Sequence, residues 1–139
     1  MTPYDEIYRY FLRKLEAHDI REELEKDEEL GKELLFDFLE SAIPKFSYCN
    51  ANLSDRNQEL FRFNADLNDM EKEILSTLMV VEYLSPKLLN ESFFADRLGS
   101  KDYQIFSPAN KAKEIRALRS MYEDEAKSLQ RDYYYRRGF

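Results

Sequence analysis

The chain has 139 residues, 35% of them charged, with 3 Gly, 4 Pro, one Cys, no Trp and a net charge of −7. Length alone bounds it to one domain with a core of its own, and so few Gly and Pro among so many charges argue for helices with short connections. The same numbers exclude a transmembrane helix and an internal disulfide, and they speak against duplex DNA as a ligand, because phosphate contacts need cations.

Ten Phe and ten Tyr give the chain a large aromatic payload. The acidic, periodic N-terminus is unlike a signal peptide, and the single Cys49 fits a reducing compartment, so a cytoplasm is expected. Thr2-Pro3-Tyr4-Asp5 reads as a helix start, with Thr2 as N-cap and Pro3 at the first helical position. Ile7, Phe11 and Leu15 then recur every four residues, flanked by Tyr4, Tyr8 and Leu12, and predict a helix that ends near Glu16 to His18. From Asp19 to Glu29 there are seven acidic residues against Arg21 and Lys26. This stretch reads as a solvated connector, with one helical turn at most.

A second helix is expected over about Leu30 to Phe46. Leu34, Leu35, Phe38, Leu39, Ala42 and Ile43 form its buried side, and Pro44 kinks or shortens it. Residues 47–68 hold the turn and cap formers Asn50, Asn52, Ser54, Asp55 and Asn57, the natural place for irregular structure or a short strand. Asn68-Asp69-Met70-Glu71 is a capping box. Behind it, Ile74, Leu75, Leu78, Met79, Val80, Val81, Tyr83 and Leu84 are apolar nearly all round, which makes that helix central. Ser85-Pro86 reads as its stop, with a short helix restarting at Pro86 and another over about Ser92 to Leu98 closed by Gly99. Ser107-Pro108 opens a last helix of about 25 residues carrying Ile115, Leu118, Tyr122, Leu129 and Tyr133. The fold class is all-α, a bundle of four or five helices with a long C-terminal helix and an extended tail. The domain is placed at 1–130 and the tail at 131–139.

Charge is uneven along the chain. Residues 108–139 hold eight basic residues against five acidic ones, a local +3 that leaves −10 for residues 1–107. The terminal stretch Arg131, Asp132, Tyr133, Tyr134, Tyr135, Arg136, Arg137, Gly138, Phe139 concentrates the residue types that grip a partner. Successive rings on a helix point about 100° apart, so one domain surface covers at most two of the three tyrosines. The helix runs to about Tyr135 and docks rings on its own domain, or a tail grips a neighbour, or the segment is disordered. Arg131, Tyr133, Tyr134, Tyr135, Arg136, Arg137 and Phe139 are the candidate partner-binding residues. Glu22, Glu23, Glu25, Asp27, Glu28 and Glu29 are the candidates for a solvated or channel-facing acidic surface.

Catalytic chemistry has little to work with. One His and one Cys do not make a zinc site or a di-iron bundle. Gly31, Gly99 and Gly138 are isolated, so no phosphate loop exists. Nothing apolar surrounds the carboxylate pairs to raise a pKa for acid catalysis. The chain reads as a non-enzyme without metal or cofactor.

Several segments, taken together, resemble a family. They are residues 2–8 (Thr2-Pro3-Tyr4-Asp5-Glu6-Ile7-Tyr8), Asn52-Leu53-Ser54-Asp55-Arg56, Phe63-Asn64-Ala65-Asp66-Leu67-Asn68-Asp69, Met79-Val80-Val81-Glu82-Tyr83-Leu84-Ser85-Pro86, Gly99-Ser100-Lys101-Asp102-Tyr103, and Ser107 to Arg119. The pattern is similar to head–tail connector (adaptor, neck) proteins of tailed bacteriophages and prophages of Gram-positive bacteria. The resemblance spans nearly the whole chain and contains no catalytic motif. It implies a mostly helical subunit assembled as a cyclic ring of about twelve copies beneath the portal protein. Such a ring would contact a tail or head-closure protein and let DNA pass without specific binding. The resemblance places the protein in the virion neck after synthesis in the host bacterial cytoplasm, and sends the segment matching Arg131–Phe139 into the portal. The rival readings are a monomeric phage-encoded protein-binding module that inhibits a host protein, and a tail or baseplate component.

Overall fold

The computed structural model of the chain describes residues 1–97 and 108–137. Among these, five α-helices, one 3-10 turn and three two-residue strands follow in the order β1 (Thr2–Pro3), α1 (Tyr4–Lys14), α2 (His18–Lys26), α3 (Glu28–Ala42), the turn Ile43–Lys45, β2 (Arg56–Asn57), β3 (Arg62–Phe63), α4 (Asp69–Arg97) and α5 (Pro108–Arg137). The architecture is all-α with a minute antiparallel sheet of order β1-β3-β2.

Tyr4, Ile7, Tyr8 and Phe11 bury the inner face of α1 at the expected spacing. The start differs from the sequence reading, because Thr2 is not the cap. Its hydroxyl donates to the Ala65 carbonyl at 3.1 Å and accepts the Leu67 N–H at 2.8 Å. Thr2 thus pairs in β1 opposite Phe63, and the helix starts one residue later than Pro3. A buried hydroxyl that satisfies a distant chain segment outweighs a local cap.

The acidic stretch is also different. Residues 18–26 form α2 rather than a connector. Ile20 is buried and Leu24 packs on Gly31, where an added Cβ would lie 2.6 Å from the Leu24 Cδ2 and 3.0 Å from its Cα. Two apolar residues four apart suffice because a large face is not needed for one short helix leaning on a neighbour. Asp27 serves both ends: its N–H closes α2 on the Glu23 carbonyl at 2.7 Å, and its Oδ1 accepts the Leu30 N–H at 3.3 Å to cap α3.

Leu35, Leu39 and Ala42 are buried along α3, with Leu34, Phe38 and Ile43 partly so. Pro44 converts the end of the helix into the 3-10 turn closed by the Phe46 N–H on Ile43 O. Short strands do occur within 47–68, with the Asn57 Oδ1 accepting the N–H groups of Glu59 and Leu60 in the intervening turn.

Both halves of the capping box form at α4. Asn68 N–H donates to the Glu71 Oε1, and Glu71 N–H donates to the Asn68 Oδ1, each at 2.8 Å. Ile74 through Val81, together with Tyr83 and Leu84, are buried, so α4 is the central helix. It does not stop at Pro86 but runs through it to Arg97. Proline removes one N–H there, and Ser85 Oγ donates to the Val81 carbonyl at 2.8 Å beside the gap. The expected closure at Leu98 and Gly99, the motif Gly99 to Tyr103 and the cap Ser107 lie outside the described residues.

The last helix, α5, is 30 residues long, about 45 Å at 1.5 Å per residue, and packs along α4. It includes residues 131–137, so of the alternatives for the C-terminus the helix that docks on its own domain is the one formed there, in place of the extended tail. The reason lies in Tyr133, which finds a seat on the core and so holds the last turns helical.

Candidate functional site

Tyr133 is 5% exposed, in contrast to its candidacy for partner binding. Its ring packs edge-on against Phe46 at 5.3 Å between centroids. Its hydroxyl donates to the Glu71 Oε2 at 2.8 Å and accepts the Asn50 N–H at 2.8 Å. Cys49 Sγ donates to the same Glu71 oxygen at 3.5 Å. Glu71 is therefore both the capping residue of α4 and the buried acceptor that receives α5 and the loop after the 3-10 turn. One turn earlier on α5, Gln130 Oε1 accepts the Ser47 N–H at 2.9 Å.

Burial pushes the Cys49 thiol up to about 11, and the neighbouring Glu71 carboxylate adds to the rise against the opposing pull of the Ala51 N–H and Tyr133. Burial, and then Glu71, likewise raises Tyr133 above the ordinary phenol range, with the Asn50 N–H acting the other way. Both groups stay protonated at neutral pH and serve as hydrogen-bond donors. A thiol held in that form is a poor nucleophile.

With Tyr133 turned inward, the next two rings point outward. Tyr134 is 47% exposed and Tyr135 63% exposed, and their centroids lie 5.7 Å apart. Across the gap Tyr48, itself 66% exposed, approaches Tyr134 to 5.1 Å. Tyr48 has φ of 65°, a left-handed conformation uncommon for an aromatic residue, which turns its ring toward α5. Ser47, Tyr48, Asp124, Lys127, Gln130, Arg131, Tyr134 and Tyr135 together line an open groove of about 670 Å³. Lys127, Arg131 and Tyr134 share one helical face by their spacing of four and three.

The structure thus brings Arg131, Tyr134 and Tyr135 to one surface and takes Tyr133 away from it. Arg136 is exposed close by. The side chain of Arg137 and the whole of Phe139 lie outside the described residues. Tyr48, Lys127 and Gln130 were not foreseen. The four-residue step from Lys127 to Arg131 was a readable signal, whereas nothing local tied Tyr48 to the C-terminus.

The acidic candidates gather elsewhere. Glu22, Glu23 and Glu25 lie on α2, Asp27 at the joint, and Glu28 and Glu29 in the first turn of α3. Glu22 pairs with Lys26 at 3.4 Å and Glu28 with Lys32 at 3.3 Å. Glu23 is half-buried and the others are exposed. His18 sits on the surface 2.9 Å from Glu16.

Among the described residues, no group of three or more His, Cys, Asp or Glu is placed to hold a metal ion, and no helix is long and apolar enough to cross a membrane. No protein-family model, curated protein or solved structure matches the chain.

Proposed function

We propose that this chain is a structural subunit of a tailed bacteriophage particle: a head–tail connector that joins a ring beneath the portal and docks through the end of α5. The observation that carries the docking half is the division of labour among three successive tyrosines. Tyr133 anchors the helix end internally, while Tyr134 and Tyr135 stand outward beside Arg131 and Tyr48. Surface rings flanked by arginine are the side chains that dominate protein–protein binding energy. A long helix fixed at its end by a buried hydrogen bond presents them on a rigid support rather than on a tail that must order on binding.

The phage half rests on the resemblance of the segments from Thr2 to Arg119. The acidic bulk of the chain suits a ring through which DNA passes without sticking. In this reading the protein catalyses nothing, and its partners are further copies of itself, the portal, and a tail or head-closure protein.

Electron microscopy of particles made without this gene tests the reading. Filled heads lacking tails are expected. Normal tailed particles, or a defect confined to the distal tail, would overturn it, the second result favouring a tail or baseplate component.

A further inference from the structure

We infer that a second groove, between α1 and the α2–α3 pair, receives a short acidic peptide segment of a partner protein. The inference is independent of the connector reading and of the surface at the end of α5.

This groove has a volume of about 610 Å³. Its first wall is one face of α1, where Asp5, Tyr8, Arg9, Leu12 and Arg13 are spaced to stack along about 12 Å of helix. The opposite wall is Arg21 and Leu24 of α2, with Glu28, Lys32 and Leu35 of α3.

Four cations and two carboxylates line it, and both carboxylates face the same cation: Asp5 and Glu28 each lie 3.3 Å from Lys32. Arg9, Arg13 and Arg21 are exposed and form no ion pair among the described residues. Nearby carboxylates are turned to other lysines, Glu6 to Lys72 at 2.8 Å and Glu22 to Lys26 at 3.4 Å. Glu25 and Glu29 do not line the groove. The charge left for a ligand there is therefore positive.

Two of the three guanidiniums are held in place. Arg21 Nε donates to the Glu16 carbonyl at 2.7 Å and its Nη2 to the Leu12 carbonyl at 2.6 Å. These bonds cover the negative end of α1 and leave Nη1 for a ligand. Arg13 lies over the Tyr10 ring, 5.7 Å from its centroid.

Guanidinium forks match carboxylates bidentately. Arg9 and Arg13 stand about 6 Å apart along α1, close to the about 6.8 Å between alternate residues of an extended chain. Acidic residues at every second position thus meet both, and the residue between them turns toward Leu24 on the opposite wall. Half-buried Leu12 and Leu24, with buried Tyr8 and Leu35, give aliphatic side chains an apolar floor. A nucleic-acid strand fits less well, because it is held by stacking on exposed rings and the one ring lining the groove, Tyr8, is buried.

Fluorescence anisotropy of a labelled peptide of alternating aspartate and leucine, titrated with the full chain, tests this. Binding that weakens with salt is expected, and the same peptide with asparagine for aspartate should bind at least about tenfold more weakly. R9Q/R13Q should weaken binding by at least about tenfold while keeping the helical circular dichroism. K113Q/R116Q removes as many charges from exposed positions of α5 outside the groove, and should leave affinity within about twofold of wild type. No binding of the aspartate peptide, or equal binding of the asparagine peptide, overturns the proposal. Equal losses in the two double variants overturn it as well, since any surface cation would then serve. A single-stranded RNA that displaces the peptide and loses affinity with R9Q/R13Q assigns the groove to nucleic acid instead.

Discussion

The Tyr133 hydroxyl donates to the Glu71 carboxylate at 2.8 Å, tying the end of the last helix to the start of the central one across 62 residues of sequence. Both partners are almost fully buried, and each has a second role there: Glu71 caps α4 and Tyr133 accepts the Asn50 N–H. Such a bond costs most when half of it is removed. Tyr133→Phe keeps the ring but strands the Glu71 oxygen and the Asn50 N–H, and should destabilise by about 1–3 kcal/mol. Tyr133→Ala also empties the seat against Phe46, and should cost about 3–5 kcal/mol. Urea denaturation checks both, and a Tyr133→Phe midpoint equal to wild type would remove the hydrogen bond from the account.

Truncation separates anchor from surface. Deleting Arg131–Phe139 takes Tyr133 with it and is expected to loosen the C-terminal half of α5 from the body. Deleting Arg136–Phe139 leaves the anchor in place and should preserve the thermal midpoint within a few degrees. Thermal circular dichroism of the two truncations is the measurement. Equal stability of both would show that the helix end is held by something other than Tyr133.

Gly31→Ala sets two effects of opposite sign against each other. Within a helix Ala is favoured over Gly by about 1 kcal/mol. Here the new Cβ would press on Leu24, whose Cα as well as side chain lies within 3.0 Å. Overpacking typically costs about 1–3 kcal/mol, so a net loss is expected. Chemical denaturation that finds Gly31→Ala more stable would mean that α2 shifts freely on α3.

Stability should fall on the alkaline side. Cys49 titrates at about 11 in the folded chain against an ordinary 9.0, and Tyr133 is raised in the same direction. The unfolded state therefore loses these protons first, and the folded state binds more protons across that window. The contribution is complete below about pH 9 and is lost progressively as pH rises through the folded values. Thermal midpoints measured from pH 7 to 11 should decline above 9. Cys49→Ala should remove part of the slope between 9 and 11, and an unchanged slope would take Cys49 out of this linkage.

How far the fold could be read in advance depended on whether the deciding contact was local. Asn68 and Glu71 are three residues apart, and their reciprocal bonds formed as their spacing implied. The run from Ile74 to Leu84 had only one place to go, the centre. Thr2 carried an equally good local signal, yet its hydroxyl is spent on Ala65 and Leu67, more than sixty residues away. Ile20 and Leu24 were hidden among carboxylates, and their value became visible only beside Gly31. Ser85-Pro86 carries the local signal of a stop, but packing along α4 outweighs the loss of one backbone hydrogen bond. At the C-terminus the geometry of three adjacent rings required a split between inside and outside. Which ring goes inside was settled by Glu71, Asn50 and Phe46, none of which is a neighbour in sequence.

The central claim is that adjacent tyrosines do different jobs, Tyr133 holding the helix end and Tyr134 with Tyr135 gripping a neighbour. Under the proposed connector reading, introducing Tyr134→Ala/Tyr135→Ala into the gene, and imaging the resulting particles while measuring the thermal midpoint of the purified variant, tests it most directly. The account predicts a midpoint close to wild type together with filled heads that fail to join tails. Tailed particles in normal yield, or a variant as destabilised as Tyr133→Ala, would contradict it.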